Sequence, residues 1–305
     1  MRTLFFKYRQ VRTAFENSLN LHSILKEQLS RQKYHEYAQQ SHIIGIDSKN
    51  DFIISLTTYN KRIYEVYLTI ESLFHQTLKP KKIILWLAEN EFNYENTPLI
   101  LKKQQDRGLE IRFCTDIKSY KKLIPTLQLI PNTIVITVDD DYIYPFDFVE
   151  NLIKIYQKYP ACVCYYVGSK ISFDKKGKIN PYLKWEQSDE EYTPSILNFA
   201  TGAGGVLYPP LCFYQDIMNE SLFNRYAPNA DDIWFKAMTL LNDVQYVKVP
   251  IECRFSDKFV FLKNTQDIAL YHCNVEKNLN DTYIKKVFEK YNLYNKLNDK
   301  YIKLC

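Results

Sequence analysis

Three consecutive aspartates, Asp139, Asp140 and Asp141, follow the apolar segment 133–138 and precede the sequence Tyr-Ile-Tyr-Pro. Carboxylates at such spacing repel one another, by about 4 kcal/mol for two unit charges roughly 4 Å apart at an effective dielectric constant of about 20. A divalent cation that prefers oxygen ligands, Mg²⁺ or Mn²⁺, would relieve this repulsion. Because alternate side chains of an extended chain point in opposite directions, Asp139 and Asp141 are expected to bind the metal as a pair. Asp140 as a ligand, or a solvated acidic turn without metal, are alternatives that the sequence leaves open.

A second acidic pair, Asp231 and Asp232, opens a helix predicted for 230–241. Aspartate is a good N-cap residue, and negative charge is favourable at the N-terminus of a helix, so one interpretation is structural. The other is catalytic, since a carboxylate within hydrogen-bonding reach of a hydroxyl can accept its proton and make it a better nucleophile. The two roles are compatible with each other.

The segment 200–210 holds three of the seven glycines of the chain, Gly202, Gly204 and Gly205. Glycine lets the backbone come close to a ligand, and it also permits turns with positive φ, so this segment is either a binding loop or a plain turn. Trp185 and Trp234 are candidates for stacking on a sugar, although tryptophan is more often part of a protein core.

Apolar segments and amphipathic helices alternate along the first half of the chain. The pattern predicts strands at 52–57, 82–87, 109–114 and 133–138, and helices at 61–77, 97–105 and 119–129, the last interrupted at Pro125. This alternation is typical of an α/β fold whose mostly parallel sheet has helices on both faces. The loops after parallel strands meet at one edge, where ligands of open α/β sheets bind. Thr57, Asp116 and the three aspartates are therefore expected to gather at that edge.

Further elements and helical ends are predicted outside these four strands. They are a helix at 146–159, a strand at 161–167, a polar excursion at 168–194, a strand at 244–249, an N-terminal helix at 3–30 and a C-terminal helix at 282–304. We divide the chain into an N-terminal helical extension (1–50), a catalytic domain (51–275) and a C-terminal amphipathic helix (276–305). Both end helices are rich in basic residues, so each is predicted either to lie on an anionic membrane surface or to pack on the domain.

The composition of the 305 residues is that of a globular protein, with 46% hydrophobic and 25% charged residues. Neither G-x-G-x-x-G nor G-x-x-x-x-G-K-[ST] occurs, so a Rossmann dinucleotide site and a P-loop are not expected. A net charge of +5 is too small to indicate a nucleic-acid partner.

Seven cysteines without a C-x-x-C motif predict free thiols in a reducing compartment. No segment has the pattern of a signal peptide or a membrane span, which predicts a cytoplasmic protein, free or bound peripherally to the inner face of the cell membrane.

Two parts of the sequence resemble a known family. Residues 133–145, Thr-Ile-Val-Ile-Thr-Val-Asp-Asp-Asp-Tyr-Ile-Tyr-Pro, resemble the D-x-D segment of GT-A fold glycosyltransferases. Residues 55–62, Ser-Leu-Thr-Thr-Tyr-Asn-Lys-Arg, and 72–82, which contain Gln-Thr-Leu-Lys-Pro, resemble the opening of family 2-like members. The match in order and spacing spans residues 50–275, and bacterial enzymes of capsule and lipopolysaccharide assembly are the most similar kind. The resemblance implies a GT-A, Rossmann-like catalytic domain that uses a nucleoside-diphosphate sugar.

The resemblance also implies roles for individual residues. Asp141 would be a metal ligand and Asp139 would lie nearer the ribose and sugar, with the metal bridging the diphosphate of the donor. A late histidine often completes the metal site in this fold, which points to His272. The nucleotide would be bound at the carboxyl edge of the sheet by Thr57, Tyr59, Arg62, Asp116, Lys122, Asp139 and Asp140. The chain departs from the common pattern at 86–89, where many relatives have an acidic pair, and Glu89 is the substitute candidate there.

The same resemblance implies the reaction. In inverting members an acidic pair serves the acceptor, so Asp232 is predicted to be the general base and Asp231 to bind the acceptor or orient Asp232. The sugar and acceptor pocket would be lined by Gly202, Gly204, Gly205 and Trp234. The predicted activity is transfer of a sugar, by default from a UDP-sugar, to a hydroxyl of a saccharide or lipid-linked saccharide, with Mn²⁺ or Mg²⁺ as cofactor. A retaining reaction, a sugar-phosphate nucleotidyltransferase and a non-catalytic saccharide-binding protein are the alternatives.

Overall fold

The computed structural model describes residues 2–187, 189–268 and 279–302. Its strands, in chain order, are β1 Phe52–Thr57, β2 Lys82–Ala88, β3 Leu109–Cys114, β4 Ile134–Thr137, β5 Tyr142–Ile143, β6 Val163–Tyr165, β7 Gly168–Lys170, β8 Asn198–Ala200, β9 Val206–Tyr208, β10 Tyr246–Lys248 and β11 Val260–Phe261. Its α-helices are α1 Arg2–Gln40, α2 Val66–Phe74, α3 Leu99–Gln105, α4 Ile124–Leu129, α5 Phe148–Lys158, α6 Glu220–Tyr226, α7 Asp231–Leu241, α8 Phe255–Lys258, α9 Leu279–Lys290 and α10 Leu293–Ile302.

The described strands form a central seven-stranded sheet in the order β10-β6-β9-β4-β1-β2-β3. The pairs β1–β2, β2–β3, β1–β4 and β6–β10 are parallel, and β9 runs antiparallel to both of its neighbours. The prediction of an α/β fold with a mostly parallel sheet is therefore confirmed. Because β1 to β4 are mutually parallel, the loops that follow Thr57, Ala88, Cys114 and Thr137 leave the sheet at the same edge.

A separate apolar layer covers each face of the sheet. One layer contains Tyr120, Trp234 and Phe288, from the side of α7 and α9. The other contains Phe74 and Phe148, from α2 and α5. The sheet is thus buried on both faces, as expected for parallel strands, and its edges are where polar side chains can reach solvent and ligands.

Two short 3-10 helices, Asn60–Tyr64 and Lys118–Lys122, precede α2 and α4. The sequence predicted one helix at 61–77 and a helix at 119–129 interrupted at Pro125, and each is corrected to a 3-10 turn followed by a shorter α-helix. Each turn begins at a residue with left-handed backbone, Asn60 with φ 51° and Lys118 with φ 56°. In the second case Pro125 lies in the first turn of α4, where its missing N–H is tolerated, so the α-helix starts there and not earlier. These turns matter because Arg62 and Lys122 lie on them.

The N-terminal helix α1 is longer than the predicted 3–30 and ends at Gln40. Glu27, Arg31, Tyr34 and Ala38 recur at spacings of four, three and four, so they lie on one helix face, and Tyr34 and Ala38 are buried. Arg31 pairs with Glu65 at 2.9 Å and with Glu27 at 3.0 Å. The helix continues past residue 30 because this face packs on the body as far as Ala38.

The predicted single C-terminal helix at 282–304 is two helices, α9 and α10. They are separated at Asn292, which has φ 52°. Tyr283, Val287, Phe288 and Leu297 are buried in the apolar layer beside α7. Of the two sequence-based alternatives for this segment, packing on the protein body is the one that the described residues show.

Within the described part of the chain, no helix combines the length and the apolar character needed to cross a membrane. The cysteines described there are unpaired: Cys114, Cys162, Cys164, Cys212 and Cys253.

Lys236, on α7, is a buried amine. Its side chain is 1% exposed, its Nζ has no hydrogen-bond partner among the described residues, and this atom lies 3.9 Å from the centre of the Tyr246 ring. Burial lowers the pKa of Lys236 well below its usual value of 10.5. Lys236→Met should therefore raise the free energy of unfolding by about 1–2 kcal/mol at pH 7, because it removes an unpaired buried polar group and keeps the volume.

Urea unfolding at several pH values would measure this effect. Because the folded-state pKa lies below the unfolded one, the wild type should gain stability as the pH rises towards about 10, so the advantage of the variant should narrow up to that pH and stay constant above it. Lys296→Met is the matched control, since Lys296 donates to Leu241 O and pairs with Asp243, and it should not stabilise the protein. A Lys236→Met protein less stable than the wild type would contradict the prediction.

Candidate active site

Asp140, the middle aspartate after β4, is held by two donors from the first strand–helix connection. Thr58 Oγ1 donates to Asp140 Oδ2 at 2.6 Å, and Arg62 Nη1 donates to Asp140 Oδ1 at 2.6 Å. Thr69 Oγ1 also donates to the main-chain oxygen of Asp140. Both carboxylate oxygens are thus engaged by buried groups, and Asp140 anchors the loop.

Asp141 receives two donors on one carboxylate oxygen. Arg62 Nη1 and Gln266 Nε2 each lie 3.0 Å from Asp141 Oδ2, and Leu262 N donates to Asp141 O at 2.8 Å. Burial, and then repulsion from Asp140 and Asp139, raises the pKa of Asp141 to about 7. One arginine therefore does not neutralise this group of carboxylates, and a further cation would be favourable beside Asp141.

Asp139 is the most accessible of the three aspartates, with a side chain 29% exposed. Its main-chain N–H donates to the buried Tyr144 hydroxyl at 2.9 Å. Lys122 Nζ donates to Asp139 Oδ1 at 3.2 Å and lies 2.9 Å from Asp231 Oδ2, an ion-pair distance. Although burial alone would lower it, the pKa of Lys122 is raised well above its usual value by Asp139 and Asp231. Lys122 therefore connects the aspartates after β4 with the acidic pair on α7.

Asp231 and Asp232 are the first two residues of α7, and the N-cap is Ala230. The structural interpretation of either aspartate as the N-cap is therefore wrong, although both still lie where the helix dipole favours negative charge. Ser119 Oγ donates to Asp231 Oδ1 at 2.8 Å, and Gly202 N donates to Asp232 Oδ2 at 3.1 Å. Burial, and then repulsion from Asp231, raises the pKa of Asp232 to about 7. A carboxylate with such a pKa is suited to accept a proton near neutral pH.

Gly202 lies where these groups meet. A Cβ built on Gly202 would be 2.6 Å from Lys122 Nζ and 3.2 Å from each carboxylate oxygen of Asp139. Gly204 and Gly205 have φ of 78° and 88°, and a Cβ on them would collide with the rings of Phe255 and Phe148. These two glycines thus form a positive-φ turn packed on the core, and Gly202 is the member of the predicted loop that borders the acidic groups.

Gly202→Ala should lower kcat/KM by about tenfold or more in the activity proposed below, because Lys122 must move away from Asp139 and displacement of a site group by about 1 Å can cost up to about 100-fold. The fold should be little affected, since Gly202 does not have positive φ. The matched control is Gly177→Ala, where φ is 75° and no atom lies within 4 Å of the added Cβ. The control should lose about 1 kcal/mol of stability and keep its activity. Equal loss of activity in both variants would contradict the assignment.

The remaining residues predicted to bind nucleotide lie along the same sheet edge, where each has local partners. Thr57 Oγ1 donates to Trp86 O at 2.8 Å. The Arg62 guanidinium lies 5.4 Å from the centre of the Tyr59 ring. Asp116 pairs with the buried Lys121 and accepts from Lys118 N at 3.0 Å. Of these, Arg62 and Tyr59 adjoin the aspartates after β4, and Asp116 lies beyond the end of β3.

Trp234 is not at this edge. Its side chain is 0% exposed, lies in the apolar layer beside α9, and its Nε1 donates to Ile217 O at 3.0 Å. The prediction that Trp234 contacts a sugar is therefore wrong, because core packing accounts for its whole surface. Trp185 is also buried, at 7% exposed, with Nε1 donating to Asn180 O.

His272, the predicted third metal ligand, lies outside the described residues. Among the residues that are described, no three His, Cys, Asp or Glu side chains converge as a metal site. The oxygen-only donor set of Asp139 and Asp141 nevertheless fits Mg²⁺ or Mn²⁺ bound with a diphosphate, since such sites commonly take one or two carboxylates from the protein and the other ligands from water and phosphate. Burial, and then repulsion from Asp140 and Asp139, disfavours the charged form of Asp141, and a bound cation would favour it.

Three site residues were not singled out from the sequence: Thr58, Ser119 and Gln266. Thr58 follows β1 directly, so its position at the sheet edge was available as a signal. Ser119 lies one residue after the left-handed Lys118, and Gln266 reaches Asp141 from 125 residues further along the chain. Nothing in the sequence near Gln266 indicates that contact.

No protein-family model and no curated protein matches the sequence. Two solved structures illustrate the similarity in shape. TarS of S. aureus, residues 1–349, is 14% identical over 65% of this chain and 58% of that chain, with a TM-score of 0.39. The mannosyltransferase PcManGT from Pyrobaculum calidifontis, solved with GDP-Man and Mn²⁺, is 12% identical over 78% of this chain and 66% of that chain, with a TM-score of 0.43. In both cases the chain spans less than two thirds of the other protein, and we assign no residue role from these similarities.

Proposed function

We propose that the protein is a metal-dependent glycosyltransferase that moves a sugar from a nucleoside diphosphate to a hydroxyl of a saccharide. The observation that carries the proposal is the convergence of two acidic groups at one sheet edge, joined by a buried cation. Lys122 pairs with Asp139 on one side and with Asp231 on the other, and Gly202 lies so close to them that a Cβ on it would be 2.6 Å from Lys122 Nζ. A metal and diphosphate on the first side and an acceptor hydroxyl on the second would lie next to each other.

Asp139 and Asp141 would hold Mn²⁺ or Mg²⁺ on the donor side. The metal, when bound, supplies Lewis-acid stabilisation of the negative charge that develops on the departing nucleoside diphosphate. We prefer these two to Asp140, because both carboxylate oxygens of Asp140 already accept 2.6 Å hydrogen bonds, from Thr58 and from Arg62. Arg62 has a buried Nε without a hydrogen-bond partner among the described residues, which suits an anionic ligand beside it.

On the acceptor side, Asp232 would be the general base. It would take the proton of the acceptor hydroxyl while that oxygen bonds to the anomeric carbon and the bond from this carbon to the diphosphate oxygen breaks. Direct displacement of this kind inverts the anomeric configuration. Asp231, fixed by Ser119 and Lys122, would bind the acceptor or keep Asp232 in place.

The donor and the pathway rest on the sequence resemblance. A UDP-sugar is the donor we propose, with Tyr59, Asp116 and Glu89 near the nucleoside and Gly202 near the transferred sugar. The acceptor would be a saccharide or lipid-linked saccharide of bacterial surface polysaccharide or lipopolysaccharide assembly, reached from the cytoplasm. His272 as a third metal ligand remains a prediction.

The test is to incubate the protein with Mn²⁺ or Mg²⁺ and a panel of nucleotide sugars, and to follow release of the nucleoside diphosphate. Metal-dependent release from one donor, lost on adding EDTA, is expected. A parallel reaction with a nucleoside triphosphate and a sugar 1-phosphate, monitored for pyrophosphate, tests the nucleotidyltransferase alternative. Pyrophosphate formation there, or no turnover together with no nucleotide binding by calorimetry, would refute the proposal.

A further inference from the structure

Helix α1 is long for a protein of this size. Its 39 residues extend about 58 Å at about 1.5 Å per residue. Side chains in its C-terminal half hold it on the body: Lys26 Nζ donates to Ser256 O and Asp257 O at 3.0 and 2.7 Å, and Glu27 accepts from Lys263 N at 2.9 Å. One face of this half is therefore fixed against the protein.

A different face of the same half carries exposed apolar side chains. Leu21, Leu25 and Leu29 recur every four residues, and Ile24 lies beside them. Leu21 is 56% exposed, Leu25 52%, Leu29 67% and Ile24 47%. We call these four residues the leucine stripe. A contiguous apolar stripe on a helix that is already anchored by its other face is a surface available for another apolar body.

The charge of α1 indicates what kind of surface would cover the leucine stripe. The helix contains seven Lys or Arg and three Glu, a net charge of +4, whereas the whole chain has +5. Four of the basic residues, Arg2, Lys7, Arg9 and Arg12, come before the first acidic residue, Glu16. The net charge of this helix is thus nearly equal to that of the whole protein. Its basic residues are concentrated at the N-terminal end, and the leucine stripe follows them along the helix.

We propose that α1 docks the protein on an anionic lipid surface. The leucine stripe would enter the boundary between headgroups and acyl chains, and the basic residues of the first turns would pair with anionic headgroups. A second copy of the chain is a poorer occupant, because a parallel pair of α1 helices would bring the same positive charges together, and an antiparallel pair would leave those charges unused at its two ends.

Docking at α1 would also place the acidic site close to the lipid. Arg31 on α1 pairs with Glu65, which follows the turn that carries Arg62. On the other side, the segment held by Glu27 continues to Gln266, which donates to Asp141. The helix face opposite to the docked surface is therefore packed directly on the two segments that contact Asp141.

The experiment is co-sedimentation of the full chain with vesicles of phosphatidylcholine alone and of phosphatidylcholine with phosphatidylglycerol. The protein should sediment with the mixed vesicles, remain in solution with the neutral ones, and be released as salt is raised. The double variants Leu25→Glu/Leu29→Glu and Arg9→Glu/Arg12→Glu should each weaken binding by at least about tenfold. Leu99→Glu is the matched control, since Leu99 is 68% exposed on α3, and it should bind like the wild type.

Thermal unfolding of each variant would establish that the fold is intact, as expected because the substituted leucines are exposed. Sedimentation that is absent with mixed vesicles, or that is weakened equally by Leu99→Glu, would overturn the proposal. Analytical ultracentrifugation would show whether the leucine stripe instead binds a second copy of the chain. A dimer that the Leu25→Glu/Leu29→Glu variant dissociates, without lipid binding by the wild type, would assign the leucine stripe to a second copy of the chain and overturn it as well.

Discussion

Asp232→Asn is expected to lower kcat by about 10²- to 10⁴-fold and to leave metal-dependent binding of the nucleotide unchanged. The amide keeps the shape of the side chain but cannot accept the proton of the acceptor hydroxyl. Nucleotide binding should be unchanged because the Asp232 carboxylate accepts from Gly202 N and has no proposed contact with the metal or the diphosphate. Calorimetry with UDP and Mn²⁺, beside single-turnover kinetics of sugar transfer, would measure the two effects separately.

The pH dependence gives a second measurement on the same residue. The pKa of Asp232 is raised to about 7, and a base must be deprotonated to act. The rate of transfer should therefore fall as the pH is lowered through about 7, and the residual activity of Asp232→Asn should lack this step.

Asp231→Asn is the matched control for Asp232→Asn. It removes a neighbouring charge but leaves the proposed base in place, so its effect on kcat should be the smaller. If Asp231→Asn lost more activity than Asp232→Asn, the two roles would be reversed. If both variants lost nucleotide binding to the same degree, the separation into donor and acceptor sides would be incorrect.

Asp141→Asn is expected to have opposite effects on metal binding and on stability. It removes a proposed metal ligand, so metal-dependent nucleotide affinity should fall by more than about tenfold. It also removes a buried charge that Asp140 and Asp139 repel, so at pH 8 the metal-free protein should become more stable by about 1–3 kcal/mol. A residue that only supported the fold would not give this combination.

The sign of the stability effect follows from the direction of the pKa shift. The pKa of Asp141 is higher in the folded state, at about 7, than its usual value of 3.8, so the charged form destabilises the fold above pH 7. As the pH falls from 7 towards 4 the carboxyl becomes protonated in the folded state, and the difference between variant and wild type should disappear. Urea unfolding with and without Mn²⁺ would test this, with Mn²⁺ stabilising the wild type and not the variant.

Asp140→Asn distinguishes the members of the triplet. Burial raises the pKa of Asp140 as well, but its two carboxylate oxygens accept 2.6 Å hydrogen bonds from the buried Thr58 and Arg62, whereas both hydrogen bonds to the Asp141 carboxylate are 3.0 Å long. Replacing Asp140 therefore removes the shorter contacts. We expect this variant to be destabilised, in contrast to Asp141→Asn. Stabilisation by Asp140→Asn together with loss of metal binding would mean that the middle aspartate is the ligand.

Much of the fold could be predicted because it depends on local patterns. The bounds of β1 and β3 are those predicted, β2 differs by one residue at one end, and β4 differs by one residue at each end. Four parallel strands then bring Thr57, Asp116 and the aspartates to one edge, since a parallel sheet leaves no other arrangement of its carboxyl ends. The helices were less predictable, because the 3-10 turns and the break at Asn292 depend on left-handed residues other than glycine, which the hydrophobic pattern does not indicate.

The sequence by itself determined that the three aspartates lie at the carboxyl edge of the sheet and that a second acidic pair opens a helix, because a buried strand precedes the triplet and a helical pattern follows the pair. Only the tertiary structure decided which side chains contact each of these aspartates. Thr58 and Arg62 engage Asp140, Gln266 reaches Asp141 across 125 residues, and Lys122 joins Asp139 to Asp231. The same is true of Trp234, whose type allowed either a sugar contact or a core position. Such choices depend on contacts between residues distant in the chain, and burial then sets both the pKa of each carboxyl and its partners.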